Sequence, residues 1–199
     1  YRGRTIRGLS EWILNYADIP LDEYRSLASR FDPVDFDAEK IVRDALRWGM
    51  KYVCLTAKHH DGFALYDSKC NGYNSVKASP CHRDLVKELA DACHRQGLVF
   101  CLYYSQAQDW DDPDGFFAYR DNSGKNFERY FQEKCIPQVK ELLTQYGEVG
   151  MIWFDTPMDM TEVQCLELRS VVKELQPDCI ISGRIGHGAG DYLSTQDNR

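Results

Sequence analysis

Residues 56–69 read TAKHHDGFALYDSK, so two adjacent imidazoles, His59 and His60, and the Asp61 carboxylate directly follow the apolar run Tyr52-Val53-Cys54-Leu55. Three more apolar runs end on polar residues. One closes on Tyr103, Tyr104 and Ser105, followed by Asp109 and Trp110. Another, MIWFDTP, places Asp155 after Trp153 and Phe154, and IISGRIG brings Arg184 two residues past Ser182. If the four runs are parallel strands, their carboxyl ends share one rim, the place where ligands bind in parallel α/β folds. Imidazoles, phenols, a carboxylate and a guanidinium would then converge on a polar ligand.

Three chemistries use such a rim. A metal-dependent hydrolase needs three or four ligands converging on one ion. His59 and His60 are neighbours whose side chains should diverge, and the H-x-H and H-x-x-x-H spacings of a zinc pair are absent. Hydrolysis through a serine nucleophile calls for a G-x-S-x-G elbow, which the chain lacks. Glycoside hydrolysis needs a carboxylate beneath the anomeric carbon, a second acid above it, and donors and acceptors for the hydroxyls. Asp155 and Trp153, two apart on one strand and so on one side of it, suit that chemistry: carboxylate for the reaction, flat apolar wall for the sugar's C–H face. Each residue also has a plainer reading. Asp155 would serve as a helix cap before Pro157, Arg184 as half of a surface ion pair, and Tyr103 as core. Two adjacent histidines at a strand end are harder to explain by structure alone, because imidazoles are mostly hydrogen-bonded or partly exposed.

The elements that would position these groups alternate along the chain. Helical spacing over 37–48 puts Ile41, Ala45 and Trp48 on one face, and Tyr52–Ala57 follows as a strand. A second amphipathic helix, 84–96, turns Leu85, Leu89, Ala92 and Cys93 inward and stops at Gly97 before the strand 98–104. A helix over 126–146, bent or broken near Pro137, precedes the strand 149–154. The helix 161–175, capped by Thr161, leads through Pro177 to the strand 179–182. Four apolar strands without polar alternation predict a parallel sheet buried on both faces, either doubly wound or a (β/α)8 barrel. No G-x-G-x-x-G follows a strand, which weighs against a dinucleotide fold. A closed barrel usually needs about 250 residues, so the expectation is an α/β, TIM-like (β/α)8 barrel of which four to five βα units are visible.

The net charge of −7, with 24 basic residues scattered among 31 acidic ones, argues against nucleic acid as a partner. No apolar stretch approaches the ~20 residues of a membrane span, so a membrane partner is not expected either. Of the eight cysteines, Cys54, Cys101 and Cys179 fall in strand-like runs and Cys93 on a helix, and no C-x-x-C occurs. Most of them read as small buried hydrophobes rather than zinc ligands, with a Cys70–Cys81 bridge as the alternative for that pair.

Taken together, TAKHHDGFALYDS, NSVK, RDLVKELADACHRQGLVFCLYYS with DW after it, and IWFD resemble the α-L-fucosidases of glycoside hydrolase family 29, from about Glu11 to Arg184. The K-H-H-D-G-F block carries most of the specificity. The resemblance implies a (β/α)8-like catalytic barrel spanning residues 1–199 as one domain, truncated at both ends, with the family's C-terminal β-sandwich absent. It implies a retaining exo-α-L-fucosidase that removes terminal α-linked L-fucose from glycans, without metal or other cofactor. Position by position, Asp155 matches the nucleophile that forms the fucosyl-enzyme intermediate. His59 and His60 match the pair holding fucose hydroxyls, and Tyr103 the first tyrosine of the YYS element. Trp153 matches an aromatic near the sugar's methyl group, Arg184 a strand-end arginine beside the nucleophile, and Glu11 and Trp12 a Glu-Trp pair that contacts fucose. Two features depart from the pattern. The family's F-x-H-W-G strand, expected before Glu11, is missing, and Gln196 occupies the position where one branch carries its acid/base glutamate. An amide is no proton donor with a useful pKa. The acid/base is therefore expected beyond Arg199, with Asp191 and Asp197 as outside candidates. The rival readings are a non-catalytic fucose-binding relative and a metal-dependent barrel hydrolase. Location in a secreted, periplasmic or lysosomal compartment follows from the resemblance alone.

Overall fold

A computed structural model describes residues 1–193. Strands β1 (Tyr52–Lys58), β2 (Val99–Ser105), β3 (Met151–Asp155) and β4 (Ile180–Ile181) form one sheet in the order β1-β2-β3-β4, with every pairing parallel. A doubly wound sheet would reverse its order at a switch point. Strictly sequential order with right-handed crossovers puts every connecting helix on one face, which is how a (β/α)8 barrel winds. Three βα units of such a barrel and a fourth strand are present among the described residues, with a further helix, Ala38–Arg47, ahead of β1.

The helix-facing side chains Phe100, Leu102, Tyr104, Ile152, Phe154 and Ile181 are at most 1% exposed and pack with Leu89, Val139, Leu142, Leu168 and Val172 of the helices. The opposite face is open at the amino ends of the strands, where Tyr52 is 56%, Val99 49% and Ile180 47% exposed, while Cys101 and Tyr103 further along it are 3% and 7% exposed. Burial on both faces, expected from the lack of polar alternation, thus holds among the described residues towards the carboxyl ends of the strands and not at their amino ends. The open face is itself apolar. With Cys54, Met151 and Trp153 these residues line a concavity of about 690 Å³, and composition alone cannot tell which apolar face is covered. Cys54 lies on that open face and is exposed rather than buried, and Cys70 and Cys81 are free thiols.

Local chemistry sets the helix ends. Asp37 and Asp84 cap the helices Ala38–Arg47 and Leu85–Gln96 by accepting from the Lys40 and Lys87 amides, at 2.9 and 2.8 Å. Thr161 and Gln164 form a reciprocal capping box on Glu162–Leu175, and Gly97 ends its helix at φ +75°. The first of these helices buries Ala38, Val42 and Ala45, while Trp48 is 71% exposed; only Ala45 of the expected face is inward. The predicted break near Pro137 is a π-helical turn, Phe131–Cys135, between the helices Phe127–Tyr130 and Ile136–Gln145. Pro137 lacks the N–H of a regular turn and crowds the carbonyl four residues back, which the wider turn relieves. That turn also swings Lys134 inward, where its ammonium lies 2.9 Å from Asp109.

Candidate active site

A bulge at the end of β1 separates the structural side chains from the candidate functional ones. Thr56 pairs with Tyr103 and Lys58 with Tyr104, leaving Ala57 as an extra residue. One inserted residue reverses the alternation of side chains beyond it. Lys58 therefore turns into the helix layer, fully buried, donating to Asp109 Oδ2 and the Tyr130 hydroxyl at 2.9 Å each. Burial pushes the Asp109 carboxyl up, but Lys58 and Lys134 outweigh it and hold the group below its ordinary range. Asp109 is thus an internal anchor, and so is Tyr104, whose hydroxyl donates to Gln138 at 2.8 Å. Neither belongs to the rim on which their sequence positions had placed them.

His59 takes the other side. Its ring lies parallel to Tyr103 at 5.4 Å and only 4.1 Å from His60. After the histidines the chain turns at Gly62, φ +81°, with its amide donating to the His59 carbonyl at 3.1 Å. A Cβ there would collide with the Asp109 carboxylate, so glycine is required on two counts. Asp61 faces away from the rim, accepting from the Phe63 amide and the Tyr24 hydroxyl.

Asp155 ends β3 and is 8% exposed. Its Oδ2 accepts from the Tyr103 hydroxyl at 2.6 Å, and its Oδ1 from Arg184, at 2.7 Å through Nε and by a second, shorter contact through the guanidinium tip. It is not a helix cap. The Arg184 guanidinium also sits 5.5 Å above the Trp153 ring, and Trp153 lies 5.4 Å from Tyr103. His60 Nε2 is 3.6 Å from Asp155 Oδ2. Trp12 packs edge-on against His60 at 5.2 Å and Trp110 at 5.3 Å, while Glu11 is exposed beside it. Burial lowers His59 below its usual range against the pull of Asp155 and Glu11. Burial, reinforced by His59, drives His60 down to about 3, so its ring is neutral near pH 7.

The structure thus gathers His59, His60, Tyr103, Trp153, Asp155 and Arg184 into one cluster, with Trp12 against it and Glu11 at its edge. Three more residues complete it, of which Ser105 closes the YYS element and Gln106 and Gln108 belong to no motif. Gln106 accepts from the Asp155 amide at 2.8 Å and donates to the Arg184 carbonyl at 3.1 Å, coupling those two partners through the backbone. Ser105 and Gln108 bracket His60. All three are fully buried. For Gln106 and Gln108 the hint in the sequence is the polar run SQAQ directly after an apolar strand.

The adjacent histidines do not diverge as expected: possible ligand atoms of His59, His60 and Asp155 lie within 4.8 Å of one another. The third ligand fits a cation poorly, because Asp155 Oδ1 is already taken by a permanently charged guanidinium. Of the outside acid/base candidates, Asp191 binds Lys173 and Arg169 at 2.8 Å each and the Ile181 amide at 2.9 Å. Burial raises it, but these partners bring it down to about 2, which removes it as a proton donor at neutral pH. Gln196 and Asp197 lie outside the described residues.

The fold and cluster define a class: a partial (β/α)8-type barrel with a carboxylate clamped between arginine and tyrosine at its strand-end rim. The α-L-fucosidase family profile matches residues 7–199, and the chain belongs to that family. Among curated relatives, Arabidopsis thaliana alpha-L-fucosidase 1 is 34% identical over 165 residues, covering 79% of this chain and 30% of that protein. The human plasma alpha-L-fucosidase is 32% identical over 138 residues, covering 68% and 28%. The chain therefore spans about a third of the length of such relatives. Alpha-L-fucosidase AlfC from Lactobacillus casei, solved in complex with its α-L-fucose product, superposes with a TM-score of 0.93 at 43% identity, over 100% of this chain and 68% of that one. A family 29 enzyme from Bacteroides thetaiotaomicron gives 0.84 at 33% identity, covering 93% and 42%.

Proposed function

We propose that this chain is part of the catalytic domain of a retaining exo-α-L-fucosidase acting on terminal α-linked L-fucose of glycans. The observation that carries the reading is the Asp155 carboxylate, held by Arg184 on one oxygen and Tyr103 on the other within 3.6 Å of an imidazole. A carboxylate so fixed is aimed at an electrophile instead of at solvent. An Asp155 oxygen attacks the anomeric carbon as the bond to the leaving oxygen breaks, and that oxygen takes a proton from a general acid. Water then attacks the same carbon, loses its proton to the conjugate base and displaces Asp155, releasing fucose with its configuration retained. His59, His60, Glu11 and Trp12 bind the hydroxyls and flank of the sugar, and Trp153 supplies the apolar wall for its methyl group. The proton donor lies outside the described residues on this reading. AlfC has been solved with Fucα(1,6)GlcNAc and with a 4-nitrophenyl fucoside, and a fucosylated glycan is the substrate we infer here. No described helix is long and apolar enough to cross a membrane, and a secreted, periplasmic or lysosomal location fits a glycan substrate.

With 4-nitrophenyl α-L-fucoside, Asp155→Ala should lower kcat by about a thousandfold or more while the circular dichroism spectrum is kept. Rapid quench of the wild type should show one fucosyl unit attached at Asp155 by mass spectrometry. Wild-type-like turnover in the folded variant would refute the assignment. A metal-dependent hydrolase is the second reading, favoured by the closeness of His59, His60 and Asp155; it requires that exhaustive chelation abolish the activity.

A further inference from the structure

We infer that Ser105 and Gln108 are positioning residues that lock His60 in the Nδ1–H tautomer, so that its Nε2 lone pair accepts a hydrogen bond from a substrate hydroxyl. The inference deepens the fucosidase reading and rests on it for the identity of the hydroxyl. Two separate observations, one at each ring nitrogen, lead to the same tautomer. At Nδ1, the Ser105 hydroxyl is 2.7 Å from the ring and 2.9 Å from the Gln108 carbonyl. A carbonyl only accepts, so the single hydroxyl hydrogen goes there. The serine oxygen is then an acceptor towards His60, and Nδ1 must carry the proton. At Nε2, the neighbour is the Gln108 side-chain nitrogen at 3.5 Å. The orientation of that amide is fixed: its oxygen accepts from the Trp110 indole at 3.2 Å and the Ala118 amide at 3.3 Å, both of which can only donate. Its nitrogen also donates to the Thr156 hydroxyl at 2.9 Å. An NH₂ group faces Nε2, and only an unprotonated nitrogen suits it.

Nε2 and Asp155 Oδ2, 3.6 Å apart, are both acceptors, so His60 does not hydrogen-bond the carboxylate. A hydroxyl placed against the ring gives its hydrogen to Nε2 and leaves Asp155 to Tyr103 and Arg184. The lock therefore selects a hydroxyl over a carbonyl or ether oxygen at that position.

The test is a long-range ¹H–¹⁵N spectrum of the full chain labelled at histidine, with His60 assigned by its loss in His60→Asn. At pH 7 the expected pattern is a protonated Nδ1 and a bare Nε2. A protonated Nε2 overturns the proposal without any activity measurement. Ser105→Ala should shift the ring towards the other tautomer and raise KM for 4-nitrophenyl α-L-fucoside about tenfold, the worth of one hydrogen bond, with kcat within about threefold. Ser105→Thr, which keeps the hydroxyl, should restore both. Gln108→Glu, placing an acceptor opposite Nε2, should draw the proton to that nitrogen. If Ser105→Ala leaves tautomer and KM unchanged, the positioning role is wrong. If the spectrum fits but no fucoside is bound or cleaved, the substrate reading fails and the lock stands as chemistry for another hydroxyl.

Discussion

Replacing His60 by asparagine should change how the protein responds to acid more than how stable it is at neutral pH. Burial among Trp12, Trp110 and Ser105, together with the neighbouring His59, depresses the His60 pKa from 6.5 to about 3. The unfolded chain therefore binds a proton that the folded chain refuses. A histidine depressed in this way costs stability as pH falls below its unfolded value, and the loss is complete only at the folded pKa. Integrating one proton between those two values, the cost is about 0.2 kcal/mol at pH 7 and about 2 kcal/mol at pH 5. Below pH 6 the wild type should lose roughly 1.4 kcal/mol per pH unit from this group alone. His60→Asn cannot lose it. Urea unfolding of both proteins at pH 7, 6, 5 and 4.5 measures the difference directly, since every other titrating group is shared and cancels. The variant should gain about 2 kcal/mol relative to the wild type between pH 7 and 5. A relative stability that stays flat with pH would show that His60 is solvated or already charged in the fold. It would also remove the basis for treating the ring as a neutral acceptor.

Two further substitutions probe the surroundings. Burial first, with Asp109 nearby, pushes Asp61 up to about 6, so its folded form holds a proton that the unfolded chain has released by pH 5; stability falls as pH rises from about 4 to 6. Asp61→Asn, whose amide oxygen still accepts from Phe63, should stabilise the protein by up to about 3 kcal/mol at pH 7.5 and by little at pH 4; no gain in denaturant midpoint at the higher pH would contradict this. Tyr103→Phe deletes the 2.6 Å hydrogen bond to Asp155 Oδ2 and keeps the aromatic ring. Bonds to charged groups are worth about 1.5–3 kcal/mol, so kcat/KM on the aryl fucoside should drop about 10- to 150-fold, and a change under threefold would mean that Tyr103 does not orient the carboxylate.

The parallel sheet and its helix boundaries were legible because they rest on local signals: Asp37, Asp84 and Thr161 as caps, Gly97 as a stop, Pro137 as a break. The cluster around Asp155 was legible because strand ends in a parallel sheet share an edge, whatever the register. What stayed hidden depends on contacts between distant segments. Whether Trp48 or Val42 faces inward is decided by where the helix meets β1, and a mixed apolar face does not encode that. The convergence of the two imidazoles depends on the bulge at Ala57, set by pairing with β2 across more than 40 residues of chain. Asp191 looks from the sequence like any loop carboxylate, until Arg169 and Lys173 close on it from their helix.

The bulge also explains why KHHD can serve two masters. In an unbulged strand Lys58 would share a face with Thr56 and Tyr103, placing an ammonium beside Asp155 in competition with Arg184. The extra residue sends that charge to the helix side, where the Asp109 carboxylate, which Lys134 also binds, and the Tyr130 hydroxyl accept from it. The site face then receives His59 instead, a neutral ring that can exchange hydrogen bonds with hydroxyls. A guanidinium supplies the only cation that the described contacts give Asp155, from a different strand and in a planar geometry matched to the carboxylate. Segregating charge in this way keeps the carboxylate oriented by one fixed cation yet leaves the His60 ring beside it neutral, the combination that the proposed fucosidase reading requires.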